Sequence, residues 1–278
     1  MRRSLLVCLL ALTWAVGTTG AAASDRPGAL PDLRVANGHG LVAEAWLADP
    51  TRRYQHFVLG SDYEAGSLVV KLTNGKLLKL TLGEDAVFED RQPRLADLDG
   101  DGIDEIILVK SYLARGAALA VIGVRGDKLV TIAETPPTGS PHTWINPAGI
   151  ADFDGDGRLD IAYVQMPHVL GLLRFLTLRD RKLVEIAQIA GVSNHVAGSR
   201  HLGLSAVADF DGDGIADLAV PSKDRRTLRV LTIKGGAHEI ARRTLPSEAR
   251  TDFVLENANG WKSVVVGLGD GWSSKVDF

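Results

Sequence analysis

The chain has 278 residues, with 31 basic and 34 acidic side chains, 45% hydrophobic residues, 30 glycines and one cysteine. That apolar content excludes a disordered chain, and a lone cysteine excludes an internal disulfide framework. A net charge of −3 without a long basic run argues against a nucleic-acid partner, and the length suits one large domain or two small ones.

In chain order, the first segment reads as an address. Arg2 and Arg3 precede an apolar run from Leu5 to Val16, followed by small residues ending Ala21-Ala22-Ala23. This is the layout of a secretory signal, with cleavage expected after Ala23, and the run is too short to span a bilayer. An uncleaved N-terminal anchor is the alternative. Cys8 lies inside the apolar run, which excludes a lipoprotein reading. Without the leader the basic count falls from 31 to 29 against 34 acids, a net −5 on a thiol-free chain. The expectation is therefore a periplasmic or secreted protein, with residues 1–23 as signal, 24–278 as one domain and no membrane span after cleavage.

The next elements read as strands. SLVVKLTNGKLLKLTL (67–82) is a hairpin whose Asn74-Gly75 turn tolerates positive φ. ALAVIGVRGDKLVTIAE (118–134), LLRFLTLRDRKLVEIAQ (172–188) and LRVLTIKGGAHEIARRT (228–244) repeat that pattern. Before each of these three lies one element used three times: LADLDGDGIDEIILV (95–109), IADFDGDGRLDIAYV (150–164) and VADFDGDGIADLAVP (207–221). Short apolar runs on both sides of a polar loop indicate strands, and no longer stretch carries helical periodicity. Four strands per unit of roughly 50 residues is the pattern of a propeller blade, so the fold class is all-β. The hairpins count four blades, and the tail from Thr251 begins another without a complete outer strand. LRVANGHGLVAEAWLAD (33–49) resembles an outer hairpin, and a ring must cover its edges. The expectation is five blades, with the N-terminal segment lending one or two strands to the C-terminal blade.

The acidic loops carry the most specific chemistry. Carboxylates stand at positions 1, 3 and 5, with glycine at 6 and an acid at 9: Asp152, Asp154, Asp156, Gly157 and Asp160 in the second copy. The third copy has Asp209, Asp211, Asp213, Gly214 and Asp217. The first has Asp97, Asp99, Asp101 and Gly102, with Glu105 at position 9. Spacing by two gathers alternate side chains on one side of a curled backbone. The residue at 7 (Ile103, Arg158 or Ile215) is placed to offer its carbonyl. Hard oxygen donors in this number favour calcium over magnesium, with up to three ions. An EF-hand needs glutamate at position 12, where this chain has Leu108, Tyr163 and Val220. The nine-residue DxDxDGxxD loop between short strands resembles the FG-GAP/VCBS repeat of integrin α-subunit propellers and bacterial exported proteins, over about residues 91–245. The resemblance implies a β-propeller whose loops bind calcium between the first and second strands of a blade, through the residues just named. Glu105 departs by one methylene, which implies a shifted or bidentate contact. The metal's expected role is structural, since four clustered carboxylates repel one another without it.

Loop order puts the acidic loops on one face of the ring and the remaining long loops on the other. The second face receives His142, His168, His195 and His201, with His56 close by, accompanied by Tyr63, Trp144, Asn146, Asn194 and Arg200. Imidazoles, amides and aromatics around a funnel suit an anionic or carbohydrate ligand. No nucleophile elbow, zincin motif, dinucleotide fingerprint or P-loop is present. The leading expectation is a binding module for a carbohydrate or an envelope protein. The alternatives are a small polysaccharide lyase or hydrolase using His168, His195 and Glu64, and a protein that sequesters metal. Three convergent histidines would also suffice for a transition-metal site.

Overall fold

The computed structural model describes residues 26–258 and 261–278; the expected leader, with Arg2, Arg3 and Cys8, lies outside the described residues. Strands β1 (Val35–Asn37), β2 (Val42–Thr51), β3 (Glu64–Leu72) and β4 (Leu77–Thr81) form a first antiparallel blade. A short β5 (Ala86–Phe88) leads to the second blade, β6 (Arg94–Ala96), β7 (Glu105–Tyr112), β8 (Gly116–Arg125) and β9 (Lys128–Glu134). The third blade is β10 (Ile145–Ala151), β11 (Asp160–Gln165), β12 (Leu172–Arg179) and β13 (Lys182–Ala190). The fourth is β14 (Ala206–Ala208), β15 (Asp217–Pro221), β16 (Thr227–Thr232) and β17 (His238–Thr244). β18 (Val254–Ala258), β19 (Trp261–Gly267) and β20 (Ser273–Asp277) make a three-stranded last unit. The described residues contain no helix, and hence none able to cross a membrane. The fold is a β-propeller.

All four hairpins expected from the sequence are the outer pairs of their blades. The expected closure is different. β1 and β2 pair with β3 and complete the first blade; they do not extend the C-terminal unit. The physical reason is local: the hairpin β3–β4 needs inner partners, and 35–51 lies next to it in sequence. The face of the first blade bearing the fully buried Trp46, with Val69, is packed against Ala29, Leu33 and Val35. β5 is an addition the sequence did not announce. It pairs with β3 at Ala65–Phe88 and with β7 at Ala86–Tyr112, tying the first two blades into one sheet.

The core lies between successive blades. Leu68 and Phe88 with Ile106 and Leu108 fill the first gap; Val109 and Leu119 with Ile161 and Leu176 fill the second. Phe153 and Phe175 with Leu218 and Leu231 fill the third, and Val230 with Val264 and Val266 the fourth. Strands alternate inward and outward residues, so each sheet buries apolar side chains on both faces. Gly149 on β10 marks how close two inner strands come: a Cβ there would lie 2.4 Å from Val207 Cγ2. A bulge recurs at equivalent points of the outer strands β9, β13 and β17, where Ile132, Ile186 and Ile240 are skipped opposite Val121–Ile122, Phe175–Leu176 and Val230–Leu231. It adds twist to each outer hairpin.

Candidate functional site

Each acidic loop joins the first strand of a blade to the second. Its position-1 aspartate follows β6, β10 or β14 directly, and its position-9 acid opens β7, β11 or β15. Glycine at position 6 takes φ of 82°, 84° and 87° in the three copies, which an L side chain resists. Asp152 Oδ1 accepts from the Gly155 N–H at 2.7 Å, and its Oδ2 from Gly157 N–H at 2.9 Å. Asp97 and Asp209 repeat both bonds. Carboxylate oxygens converge in each loop to within 4.8 Å: Asp97, Asp99 and Asp101; Asp152, Asp154 and Asp160; Asp209, Asp211 and Asp217.

In copies two and three the fifth position lies outside that convergent set. Asp156 pairs with Arg179 at 3.3 Å and Asp213 with Lys234 at 2.9 Å, cations from the neighbouring hairpin turn. In the first copy it is Glu105 that stands outside. Its Oε2 accepts from the Leu98 N–H at 3.0 Å, as Asp160 and Asp217 accept from Phe153 and Phe210. The second oxygen of all three acids is buried without a hydrogen-bond donor. The Thr177 and Thr232 hydroxyls lie near Asp160 and Asp217 and favour their charge but are not aligned as hydrogen bonds, so Glu105 is the clearest case. Burial, with the neighbouring aspartates adding, pushes Glu105 up to about 7 and Asp160 to about 6; burial raises Asp217 in the same direction. A hard cation would satisfy those orphaned oxygens, so the donor set fits one.

On the opposite face, loops from three blades meet. His56 (between β2 and β3), His142 and Trp144 (between β9 and β10) and His168 (between β11 and β12) line one cavity of about 90 Å³. The His56 and His142 rings stack at 5.1 Å, and Trp144 packs edge-on to His195 at 4.8 Å. Each imidazole is held by its second nitrogen. His56 Nδ1 lies 2.6 Å from Oε1 of buried Glu89, whose other oxygen accepts from Ser111. His142 Nε2 donates to the Tyr54 carbonyl at 3.3 Å, and His195 Nε2 to the Ser199 carbonyl at 3.1 Å. A carbonyl can only accept, so His195 Nδ1 carries a lone pair and receives the Nε2–H of His168 at 2.9 Å. Burial and the facing cations hold His168 down at about 4 and His195 at about 3, so both are neutral at neutral pH.

Four non-glycine residues of this region, Gln55, Phe57, His142 and Met166, have φ between 49° and 57°. Such strain persists only where the surroundings over-determine it, and it concentrates at functional sites. Glu64 holds part of it in place: its Oε1 accepts from the His56 N–H at 3.3 Å. Exposed Phe57, Val169 and Leu170 add apolar surface to the same loops.

Other expected residues do not join this pocket. Tyr63 donates to Asp32 at 2.6 Å, and Arg200 to the Gly60 carbonyl at 3.2 Å. His201 pairs with Asp252 at 3.0 Å, beside a separate cavity on the inner strands. Asn146 and Asn194 are buried and bond reciprocally to each other's carbonyls, which fastens β10 to the 191–205 connection. Nor is Glu64 the acid nearest a histidine ring; that is Glu89, which no motif in the sequence singles out. Its only signal is a carboxylate directly after the apolar Ala86–Phe88. No three imidazole nitrogens converge among the described residues.

A family model described as the FG-GAP-like repeat matches residues 97–163, covering the first acidic loop, its hairpin and the second loop. Residues 97–163 of this β-propeller thus match an FG-GAP-like repeat. No curated protein matches the propeller. Among solved structures that match, an exotype rhamnogalacturonan lyase, YesX, aligns over 90% of this chain at 16% identity and a TM-score of 0.49. The propeller spans 57% of that lyase's length, and likeness at that level says nothing about chemistry.

Proposed function

We propose that this is an exported, calcium-stabilised propeller that acts as a binding module, its ligand docking on the face that carries the histidine pocket. The observation that carries the reading is the meeting of His56, His142, Trp144 and His168 from three separate connections around one strained cavity. Calcium would be held by Asp97, Asp99, Asp101 and Glu105, by Asp152, Asp154, Asp156 and Asp160, and by Asp209, Asp211, Asp213 and Asp217. Carbonyls of Ile103, Arg158 and Ile215 are the expected complement. The ion neutralises carboxylates that otherwise repel, and so stiffens the turn between inner strands.

The pocket offers aromatic walls and hydrogen-bond acceptors with fixed tautomers, which suits a hydroxyl-rich ligand such as an envelope carbohydrate. The test is binding of the calcium-loaded chain to extracted envelope glycans and, in parallel, to envelope proteins. His56→Gln and His142→Ala should each weaken glycan binding at least tenfold, while Arg200→Ala should not. Equal binding by all three variants would overturn the placement. Retention of an envelope protein alone would replace carbohydrate by protein. A catalytic reading survives with different residues: His56 oriented by Glu89 has the form of an acid–base pair. An unsaturated or shortened product from a panel of uronic-acid polymers would favour it.

A further inference from the structure

We propose that the cavity along the inner strands is a second binding site, for a small hydroxy acid of sugar-acid size. It is separate from the histidine pocket and stands or falls independently of it. The cavity encloses about 420 Å³, within the ~300–1,000 Å³ usual for small-molecule sites. Every unit of the propeller contributes to it at or just before its first strand: Arg34, Arg94, Pro147, Leu202 and Asp252 in turn. The lining carries two guanidinium groups and one carboxylate, an excess of positive charge. Neither cation is spent on that carboxylate. Among the described residues the Arg34 guanidinium bonds only to the Arg200 carbonyl, at 3.2 Å. Arg94 uses Nη1 alone, on Asp90 Oδ2 at 2.8 Å and the Gln92 carbonyl at 3.3 Å. Asp90 is buried and also accepts from the Arg91 and Val109 N–H groups, so it holds Arg94 in place. The remaining N–H groups of both side chains are donors beside the cavity, and a guanidinium takes a carboxylate through two parallel N–H bonds.

The acceptors of the same cavity call for hydroxyl groups on the same ligand. Asp252 is fixed by the Gly203 N–H at 2.7 Å and by His201 at 3.0 Å, and each of its oxygens keeps a further lone pair. Ser205 donates its proton to the Ala148 carbonyl at 2.6 Å, which leaves its own oxygen to accept. A simple anion gains nothing from Asp252 and is repelled by it, whereas a hydroxy acid meets it with a donor. Pro147, Ala148 and Ile150 add apolar surface suited to the C–H face of a sugar ring.

Ligand-observed NMR titrations of the whole chain in calcium test this, with glucuronate as the probe and glucose and acetate as controls. Glucuronate should occupy one site per chain and bind at least tenfold more tightly than either control, since glucose lacks the charge and acetate the hydroxyls. Arg34→Gln and Asp252→Asn should each weaken glucuronate at least fivefold. His56→Gln should leave it unchanged, because that ring lines the other pocket. Arg34→Gln breaks one bond to a carbonyl and spares the buried Asp90–Arg94 pair, so its result does not depend on a variant that disturbs the core. No glucuronate binding, a control bound as tightly, or binding that either cavity variant leaves unchanged would overturn the inference. Loss of glucuronate on His56→Gln would also overturn it, by placing the ligand in the histidine pocket.

Discussion

At the scale of single residues, the two faces use burial in opposite ways. Around the acidic loops, burial makes charge costly and leaves Glu105, Asp160 and Asp217 each with an oxygen that lacks a donor. At the pocket, burial keeps His168 and His195 neutral and hands their protons down a directed chain to a carbonyl. Their values of about 4 and about 3 lie below the ordinary 6.5. Their contribution to stability is therefore complete above pH 6.5 and is lost as pH falls through those values. The raised carboxyls of Glu64 and Glu89 work in the other direction, so the informative measurement is a difference. His168→Gln should lose less stability than the parent between pH 7 and pH 4, by about 2 kcal/mol, in paired urea titrations at the two pH values. Parallel curves for parent and variant would show that the imidazole pair is not buried as described. The importance of His168 and His195 was legible in the sequence, because loop order alone put them on one face. Glu89 was not, because an acid after a three-residue strand, one of four in residues 84–90, has no spacing to mark it.

At the scale of elements, the repeated unit is strand, acidic loop, strand, hairpin. The loop's two roles separate by substitution. Gly157 sits at φ 84° with open space around it, so Gly157→Ala is a backbone change rather than a clash. It should cost about 1–2 kcal/mol, with or without calcium, read by thermal melting. Asp154→Ala removes a convergent carboxylate. It should lower the melting temperature by several degrees in calcium and by much less in chelator. Equal loss in both conditions would contradict metal binding at that loop. Between elements, Gly149 leaves no room beside Val207. Gly149→Ala should destabilise by about 1–3 kcal/mol through forced separation of β10 and β14, visible as a lower urea midpoint with an unchanged slope. The hairpins and loops were legible because alternation and turn chemistry are local. β5 was not, since it depends on partner strands in two different blades.

At the scale of the molecule, sheets are stacked like pages with apolar side chains in each gap, and no single gap holds the whole core. Loss of calcium should therefore act on three blades at once. Chelation should lower the melting temperature of the whole chain in one transition, restored by calcium, in calorimetry at neutral pH. A melting profile indifferent to chelator would remove calcium as a structural element. The 278 residues reported their repeat, their strands and their acidic loops directly, because periodicity, glycine placement and carboxylate spacing are properties of neighbours in the chain. The same numbers concealed the division of charge that lies behind a net of −3: carboxylates crowd one face while the buried imidazoles of the other stay neutral. Which strands complete the first blade, and which of five candidate histidines share a cavity, came from packing in three dimensions. The N-terminal strands joined the nearest hairpin rather than the far end, and His201 turned to Asp252 while His56 found Glu89. The two histidine pairings rest on contacts between residues tens of positions apart, which no local pattern encodes.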